Sequence, residues 1–303
     1  MRRAMLIASA LILLAVPARA ASLFDALVQP YVASGAFSGA VLVVKDGNIV
    51  FDRAFGYADA ERRLPNQVST RFHVGTLSMT YTAAVVLRLV DIHRINLDNT
   101  AGQFVPGLDA GQGGLSIEEL LAVKPDAPNA SASYMLLARI AAAASGKPFA
   151  DTADDTVFAS VLLTGSGIDD GALDADRRMA KGYLKDGSLA QRPDWASLTG
   201  AASAYTTTRG AYHWLDRVFG GGLLSPESRD RLLAGPLSKV SFRGPQSSLE
   251  GYEALGSAPG FVSYVLWLPK VTVVVLANVE TGQAKDIGGQ LAMTALNDTS
   301  AVP

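Results

Sequence analysis

Histidine and cysteine are the residues from which metal sites and thiolate nucleophiles are most often built, and this chain has few of them. Its 303 residues include His73, His93 and His213 and no cysteine. The three histidines are far apart in sequence, which argues against a site with several histidine ligands, and thiolate chemistry is excluded. We therefore predict no metal ion and no other cofactor.

Ser78 and Tyr81 lie one helical turn apart and are a candidate nucleophile and base. A hydroxyl becomes a nucleophile when a base lies beside it. A tyrosine side chain with an ordinary pKa of about 10 is a poor base unless a cation is adjacent. No lysine is close to Tyr81 in sequence. The pair is therefore a weak alternative.

His73 and Lys124 are two further polar candidates, and both have a simple structural interpretation. His73 alternates with Phe72 and Val74 in a short strand-like run, which indicates a surface histidine rather than a functional one. Lys124 could reach a cleft, but a solvated surface lysine is the prediction. The tryptophans are interpreted as packing residues: Trp195, Trp214 and Trp267.

Apolar spacing predicts the elements that carry these side chains. Strands are indicated at 39–45 and 48–55, joined by Asp46-Gly47, a strong hairpin signal, and again at 262–268 and 271–276. Apolar residues from Met79 to Val90 recur at helical spacing, and Ser116 with Glu119 forms a capping box before a further helix. Other helices are predicted at 22–33, 131–144, 206–219 and 284–296.

The amino terminus has the pattern of a secretory signal peptide. Arg2 and Arg3 precede an apolar run from Met5 to Val16, and residues 18–20 form a small-x-small cleavage signature. The run is too short to span a bilayer, so we expect cleavage after Ala20 and a periplasmic or extracellular protein. Removing residues 1–20 changes the formal net charge from −2 to −5, which disfavours a nucleic-acid partner.

The order of elements predicts an α/β fold of the α+β type. One antiparallel sheet is built from both chain termini, is flanked by helices, and has an all-helical lobe inserted between its two halves. We assign residues 21–75 and 240–298 to the sheet lobe and residues 76–239 to the helical lobe of a single unit. No later segment is long and apolar enough to cross a membrane.

Several motifs resemble those of the serine β-lactamase and penicillin-binding protein superfamily, in its class C and esterase-like branch. Residues 37–47 and 54–59 resemble the first hairpin of that family, and residues 70–75 resemble the strand that leads to its nucleophile. Pro259-Gly260-Phe261 and Leu276-Ala277-Asn278 resemble its closing strands. The resemblance implies a β-lactamase/transpeptidase-like fold with a cleft at the start of the helix that follows Gly75.

At the positions where the resemblance implies catalytic side chains, this sequence has other residues. The S-x-x-K motif is replaced by Thr76-Leu77-Ser78-Met79, the Y-x-N motif by Asn129-Ala130-Ser131, and the Lys/His-x-Gly motif by Ala254-Leu255-Gly256. A threonine hydroxyl can still attack a carbonyl, but the thioether of Met79 cannot accept its proton. Loss of general-base catalysis costs about 10²–10⁴-fold in rate.

These substitutions predict a degenerate, noncatalytic site. We expect an exported protein that binds a peptide, muropeptide or protein partner in the cleft. The alternative is an esterase, peptidase or β-lactamase with a rearranged site at Thr76 or Ser78. A third hypothesis is an accessory protein that does not use the cleft, which closure of the cleft by Met79 and Leu255 would favour.

Overall fold

The structure is a computed structural model that describes residues 18–159, 163, 165–244, 247–281 and 283–297. Most of the predicted signal peptide, residues 1–17, lies outside the described residues, and helix α1 begins at Ala18. The strands of the described chain are β1 Gly39–Lys45, β2 Asn48–Phe55, β3 Tyr57–Asp59, β4 Leu64–Pro65, β5 Phe72–His73, β6 Gly167–Ile168, β7 Ala204–Thr206, β8 Ser238–Arg243, β9 Ser248–Ala258, β10 Phe261–Trp267 and β11 Val271–Ala277.

A six-stranded antiparallel sheet, in the order β2-β1-β11-β10-β9-β8, joins the two ends of the chain. Strand β1 lies beside β11, with Gly39 opposite Ala277. The hairpin between β1 and β2 turns at Asp46 and Gly47, which both have positive φ, as the predicted two-residue turn requires. Smaller sheets pair β3 with β4 and order β5-β7-β6.

Helices cover both faces of the sheet and fill the lobe between its halves. They are α1 Ala18–Ala33, α2 Ser78–Asp91, α3 Ala110–Gly114, α4 Ile117–Leu121, α5 Ala130–Ser145, α6 Phe149–Ala153, α7 Thr208–Gly220, α8 Pro226–Ala234 and α9 Ala284–Asn297. The predicted capping box is present, since Ser116 accepts from Glu119 N–H while the Glu119 carboxylate accepts from Ser116 N–H. Helix α5 ends at Gly146, which adopts the left-handed conformation.

Alternate residues of each central strand enter different cores. Leu42 of β1 and Val274 of β11 face the helical lobe, whereas Val43 and Val273 face α1 and α9. Both faces are therefore buried, which explains why the sequences of these strands are continuous apolar runs. Helix α2 lies in the centre of the larger core, with every residue from Ser78 to Leu87 buried.

The predicted fold class is confirmed: an antiparallel sheet from both termini with helices against it. The inserted lobe was predicted to be all-helical, which is wrong, because the short strands β6 and β7 lie within residues 76–239 and pair with each other. The strand inventory was incomplete, because β8 and β9 add two strands to the pair predicted near the carboxyl end. The division into lobes at residues 75/76 and 239/240 stays a prediction.

Candidate functional site

The 3₁₀ turn Gly75–Leu77 leads directly into α2 and places Thr76 at the start of the helix. Gly75 has a φ of +55°, and a Cβ at this position would lie 2.2 Å from the carbonyl oxygen of Ser257. Only glycine accommodates both the positive φ and this close approach of β9. The turn is thus held against the strand by its backbone.

Gly256 makes the matching approach from the side of the strand. A Cβ on Gly256 would lie 2.0 Å from the carbonyl oxygen of Val74 and 2.7 Å from the amide nitrogen of Leu77. Ser263 on β10 adds a hydrogen bond, donating to the Val74 carbonyl oxygen at 2.8 Å. The segment Ala254-Leu255-Gly256 therefore lies directly beside Thr76.

In the described part of the chain, no carboxylate, imidazole or amine is hydrogen-bonded to the Thr76 hydroxyl. Thr76 is partly exposed, and in the described part of the chain its Oγ1 makes one hydrogen bond, donating to the Leu255 carbonyl oxygen at 3.5 Å. One turn later Met79 is 0% exposed and packs in the main core. Neither neighbour can take up the hydroxyl proton during an attack on a carbonyl.

Strand β9 presents an apolar side chain at this site. Ala254 is buried, whereas Leu255 is 51% exposed. Met79 and Leu255 therefore do not close the cleft. Closure by these two side chains was the feature that would have favoured an accessory protein. Leu255 leaves an apolar contact surface next to the Thr76 hydroxyl.

Ser78 is a structural residue, and the alternative that places a nucleophile there is wrong for this geometry. Its side chain is 0% exposed, and its Oγ accepts a hydrogen bond from the Ala204 amide at 2.9 Å. Tyr81 is also buried and packs against Trp214 and Phe158. Burial raises the pKa of Tyr81, so its phenol stays protonated and is no base for Ser78.

Asn129 and Ser131 flank the start of α5, and both are exposed. Asn129 occupies the N-cap position but its side chain makes no capping hydrogen bond. Among the described residues no hydrogen bond links either side chain to Thr76. They therefore do not replace the missing base.

Lys124 is exposed, as predicted, but it has specific partners. Its Nζ donates to the carbonyl oxygens of Ala234 and Gly235 at the end of α8. An ammonium group is favoured there because unpaired carbonyl groups and the helix dipole make a helix C-terminus negative. Lys124 therefore anchors α8 to the turn after α4.

His73 is buried, and the prediction that it lies on the surface is wrong. It is 5% exposed and stacks on Trp195, with ring centroids 3.8 Å apart and ring planes 8° from parallel. Its Nε2 lies 2.9 Å from Asp169 Oδ2, and Phe261 packs edge-on against its ring. Alternation along the strand predicted that His73 faces solvent. Strand β5 has only two residues, however, and the rings of Trp195 and Phe261 cover that face.

The His73–Asp169 pair has a neutral imidazole beside an ionised carboxylate. Burial lowers the pKa of His73 below its ordinary value. The hydrogen bond and negative charge of Asp169 raise this pKa, but by less than burial lowers it. Burial alone would raise the pKa of Asp169, but hydrogen bonds from His73 and the Gly171 amide lower it. His73 Nδ1 is buried with no hydrogen-bond partner, which also disfavours a proton on that nitrogen.

Within the described ranges, no three histidine or acidic side chains are arranged to hold a metal ion. None of the helices described is long and apolar enough to cross a membrane.

Comparison with known proteins gives the class of this fold. Residues 24–126 match the family model described as Beta-lactamase. The chain is 24% identical over 268 residues to the "Putative penicillin-binding protein PbpX" of Bacillus subtilis (strain 168), covering 77% of this chain and 68% of that protein. It is also 24% identical over 110 residues to "Protein flp" of Staphylococcus aureus, but this match spans only 22% of that protein.

Solved structures agree with this class. FmtA from Staphylococcus aureus superposes with a TM-score of 0.74 at 16% identity, covering 95% of this chain and 91% of that chain. D-alanine carboxypeptidase AmpC from Burkholderia cenocepacia gives a TM-score of 0.75 at 18% identity, covering 92% and 98%. The resemblance to the serine β-lactamase/penicillin-binding protein-like superfamily is therefore confirmed.

Proposed function

We propose that this chain is an exported β-lactamase/penicillin-binding-like protein that binds a peptide or muropeptide at the Thr76 cleft without acylating on it. The observation that carries the proposal is the surroundings of Thr76 Oγ1, whose one hydrogen bond among described residues goes to a carbonyl oxygen. A carbonyl oxygen accepts a hydrogen bond but cannot take the proton away. The hydroxyl thus keeps its very high pKa and stays a poor nucleophile.

The core makes a substitute base at position 79 costly. Met79 is surrounded by apolar side chains in the main core, where an ammonium group would be desolvated. Methionine fills a volume close to that of a lysine stem and leaves no buried charge. The packing around α2 is therefore consistent with a site that does not need a lysine.

Features of the cleft support binding of a peptide. Leu255 offers an exposed apolar contact, and Asn129 and Ser131 offer exposed polar groups. One of the similar structures is named a D-alanine carboxypeptidase, which makes a peptide ending in D-alanine a suitable first ligand.

Acylation is the direct test of the noncatalytic state. The protein is incubated with a fluorescent penicillin and with a fluorophosphonate probe, and its intact mass is measured. We expect no covalent adduct with either reagent. A stoichiometric adduct mapped to Thr76, or turnover of a nitrophenyl ester that is lost in Thr76→Ala, would establish the hydrolase alternative instead.

Binding is tested by titrating a muropeptide ending in D-alanyl-D-alanine in a calorimeter. Leu255→Asp should weaken this binding because it places a carboxylate next to the ligand's own carboxylate. Leu23→Asp is the matched control, since Leu23 has the same 51% exposure and lies on α1. Equal affinity of the two variants would place the ligand elsewhere.

Export is part of the same proposal and has its own test. The protein is expressed with residues 1–20 in a bacterial host, and the exported fraction is recovered. We expect its amino-terminal residue to be Ala21. Retention of the whole chain in the cytoplasm would contradict export and leave the binding proposal standing.

A further inference from the structure

A cavity of about 470 Å³ lies beside His73 and is separate from the residues of the Thr76 cleft. We call it the His73 pocket; its lining includes His73, Asp169, Trp195, Phe261 and Arg177. Thr76, Asn129 and Leu255 are not among its lining residues. A cavity of this size suits a small organic molecule.

The floor of the His73 pocket is formed by three aromatic rings. His73 and Trp195 form a parallel stack, and the ring of Phe261 lies 5.4 Å from His73 and 6.3 Å from Trp195. His73, Trp195 and Phe261 are 5%, 2% and 4% exposed, so together they present a small, mostly apolar surface to the pocket. Such a floor favours the planar or apolar part of a ligand.

The carboxylates in the wall are already paired. Asp59 accepts from the Arg62 amide at 3.1 Å and lies 3.1 Å from Lys181 Nζ. Asp169 is held by His73 and by the Gly171 amide at 2.8 Å. A third carboxylate, Asp176, is bound by Arg71 at 2.8 Å and by Arg178 at 3.0 Å. The wall therefore offers no unpaired carboxylate to a cationic ligand.

The rim of the pocket carries an excess of positive charge. Four cationic side chains line it, Arg62, Arg177, Lys181 and Arg192, against three acidic ones. This local excess contrasts with the formal net charge of −2 for the whole chain. Arg177 is exposed and makes no ion pair with any described residue, so its guanidinium group is available for an anion.

We propose that the His73 pocket is a second binding site, for a small organic anion with a flat or apolar body. The body lies on the aromatic floor and the carboxylate or phosphate group faces Arg177 at the rim. Cations around a concave, low-dielectric surface strengthen attraction for such an anion. This site does not depend on any chemistry at Thr76.

Three probes of similar size test the proposal by calorimetric titration. They are N-acetyl-phenylalanine, its neutral amide N-acetyl-phenylalaninamide, and phenyl phosphate. We expect at least one anionic probe to bind, and the amide to bind about tenfold more weakly than the carboxylate. The order of the two anions then shows whether the site prefers a carboxylate or a phosphate. Equal binding of acid and amide, or no binding of either anion at millimolar concentration, would overturn the proposal.

Charge changes at exposed positions of the rim locate the bound probe. Leu189 lines the pocket and is 51% exposed, so Leu189→Glu and Leu189→Lys can both be made without burying a charge. We expect the glutamate to weaken anion binding and the lysine to strengthen it, and Arg177→Gln to weaken it about tenfold.

The same changes at Leu23, which has the same exposure but lies on α1, are the matched controls. Arg139→Gln removes an exposed positive charge from α5 and controls for net charge. Identical responses at Leu189 and Leu23, or unchanged binding in Arg177→Gln, would show that the probe does not occupy this pocket. Leu255→Asp should leave probe binding unchanged, which separates this site from the Thr76 cleft.

Discussion

His73 lies face to face on Trp195, a residue 122 positions later in the chain, while its Nε2 lies 2.9 Å from Asp169 Oδ2. Strand β5, the segment that follows β6 and the segment that precedes β7 meet at this imidazole. The stack keeps water from the ring, and the carboxylate fixes the proton on Nε2 when the ring is neutral. One histidine thus ties strand β5 to the segment between β6 and β7.

The buried imidazole should make folding stability depend on pH. Because its native pKa is lowered, the unfolded chain binds a proton at His73 below the ordinary pKa of about 6.5, whereas the folded chain does not. The contribution is therefore fully present above that pKa and is lost as the pH falls. Urea unfolding from about pH 7.5 to about pH 5.5 should show a falling free energy of unfolding.

His73→Gln isolates this contribution, since an amide nitrogen can reach Asp169 but does not titrate. Its free energy of unfolding should be lower at neutral pH and should change less between the two pH values. His213→Asn is the matched control, because it replaces an exposed histidine on α7, outside this cluster. An equal slope in wild type and His73→Gln would contradict a lowered pKa.

Gly256→Ala should destabilise the protein by about 2 kcal/mol, because the added methyl group overlaps the Val74 carbonyl oxygen. Chemical denaturation measures the loss. Gly114→Ala is matched to it, since a Cβ there meets no atom within 4 Å and should leave stability unchanged or raise it by about 0.5 kcal/mol. Similar effects of the two changes would mean that β9 does not press on the turn as described.

Ser78→Ala and Thr76→Ala should differ in what they change. Removing the Ser78 hydroxyl leaves the buried Ala204 amide without an acceptor, which costs about 1–3 kcal/mol. Removing the partly exposed Thr76 hydroxyl should change stability very little. Thermal unfolding distinguishes them, and a larger loss for Thr76→Ala would reverse the roles assigned to these two side chains.

Thr76→Ser combined with Met79→Lys should not restore rapid hydrolysis of a β-lactam or a nitrophenyl ester. The new lysine has no partner in the core and should destabilise the fold by about 3–5 kcal/mol. Asn129 and Ala254 still supply no base from the flanks. Thr76→Ser alone controls for folding, and recovery of efficient turnover in the double variant would show that the flanking residues are not needed.

Local signals predicted the local structure well. The Asp46-Gly47 turn, the Ser116–Glu119 capping box and the apolar strands each depend on residues that are close in sequence. Strand β9 was not predicted because its sequence, Ser248–Ala258, mixes charged, small and exposed positions. Its identity as a strand comes from pairing with β10 and from its approach to the turn before α2.

The site was predictable only in part. The altered positions around Thr76 could be named from motifs, and Gly256 lies against the turn. The His73 pocket could not be found, because Asp169, Trp195 and Phe261 reach His73 from segments about 100 to 190 residues away in the chain. Asp169 belongs to a stretch rich in glycine and aspartate, and that composition does not indicate a buried carboxylate.

Two contacts that shape the Thr76 cleft are made by main-chain atoms: Gly75 on Ser257, and Gly256 on Val74. Shape and reactivity in this cleft therefore belong to different atoms. Replacing a reactive side chain leaves the walls of the cleft in place. Such a protein can therefore lose catalysis and still bind a ligand. The same separation makes the protein a suitable scaffold for new reactive side chains introduced at the entrance of the Thr76 cleft.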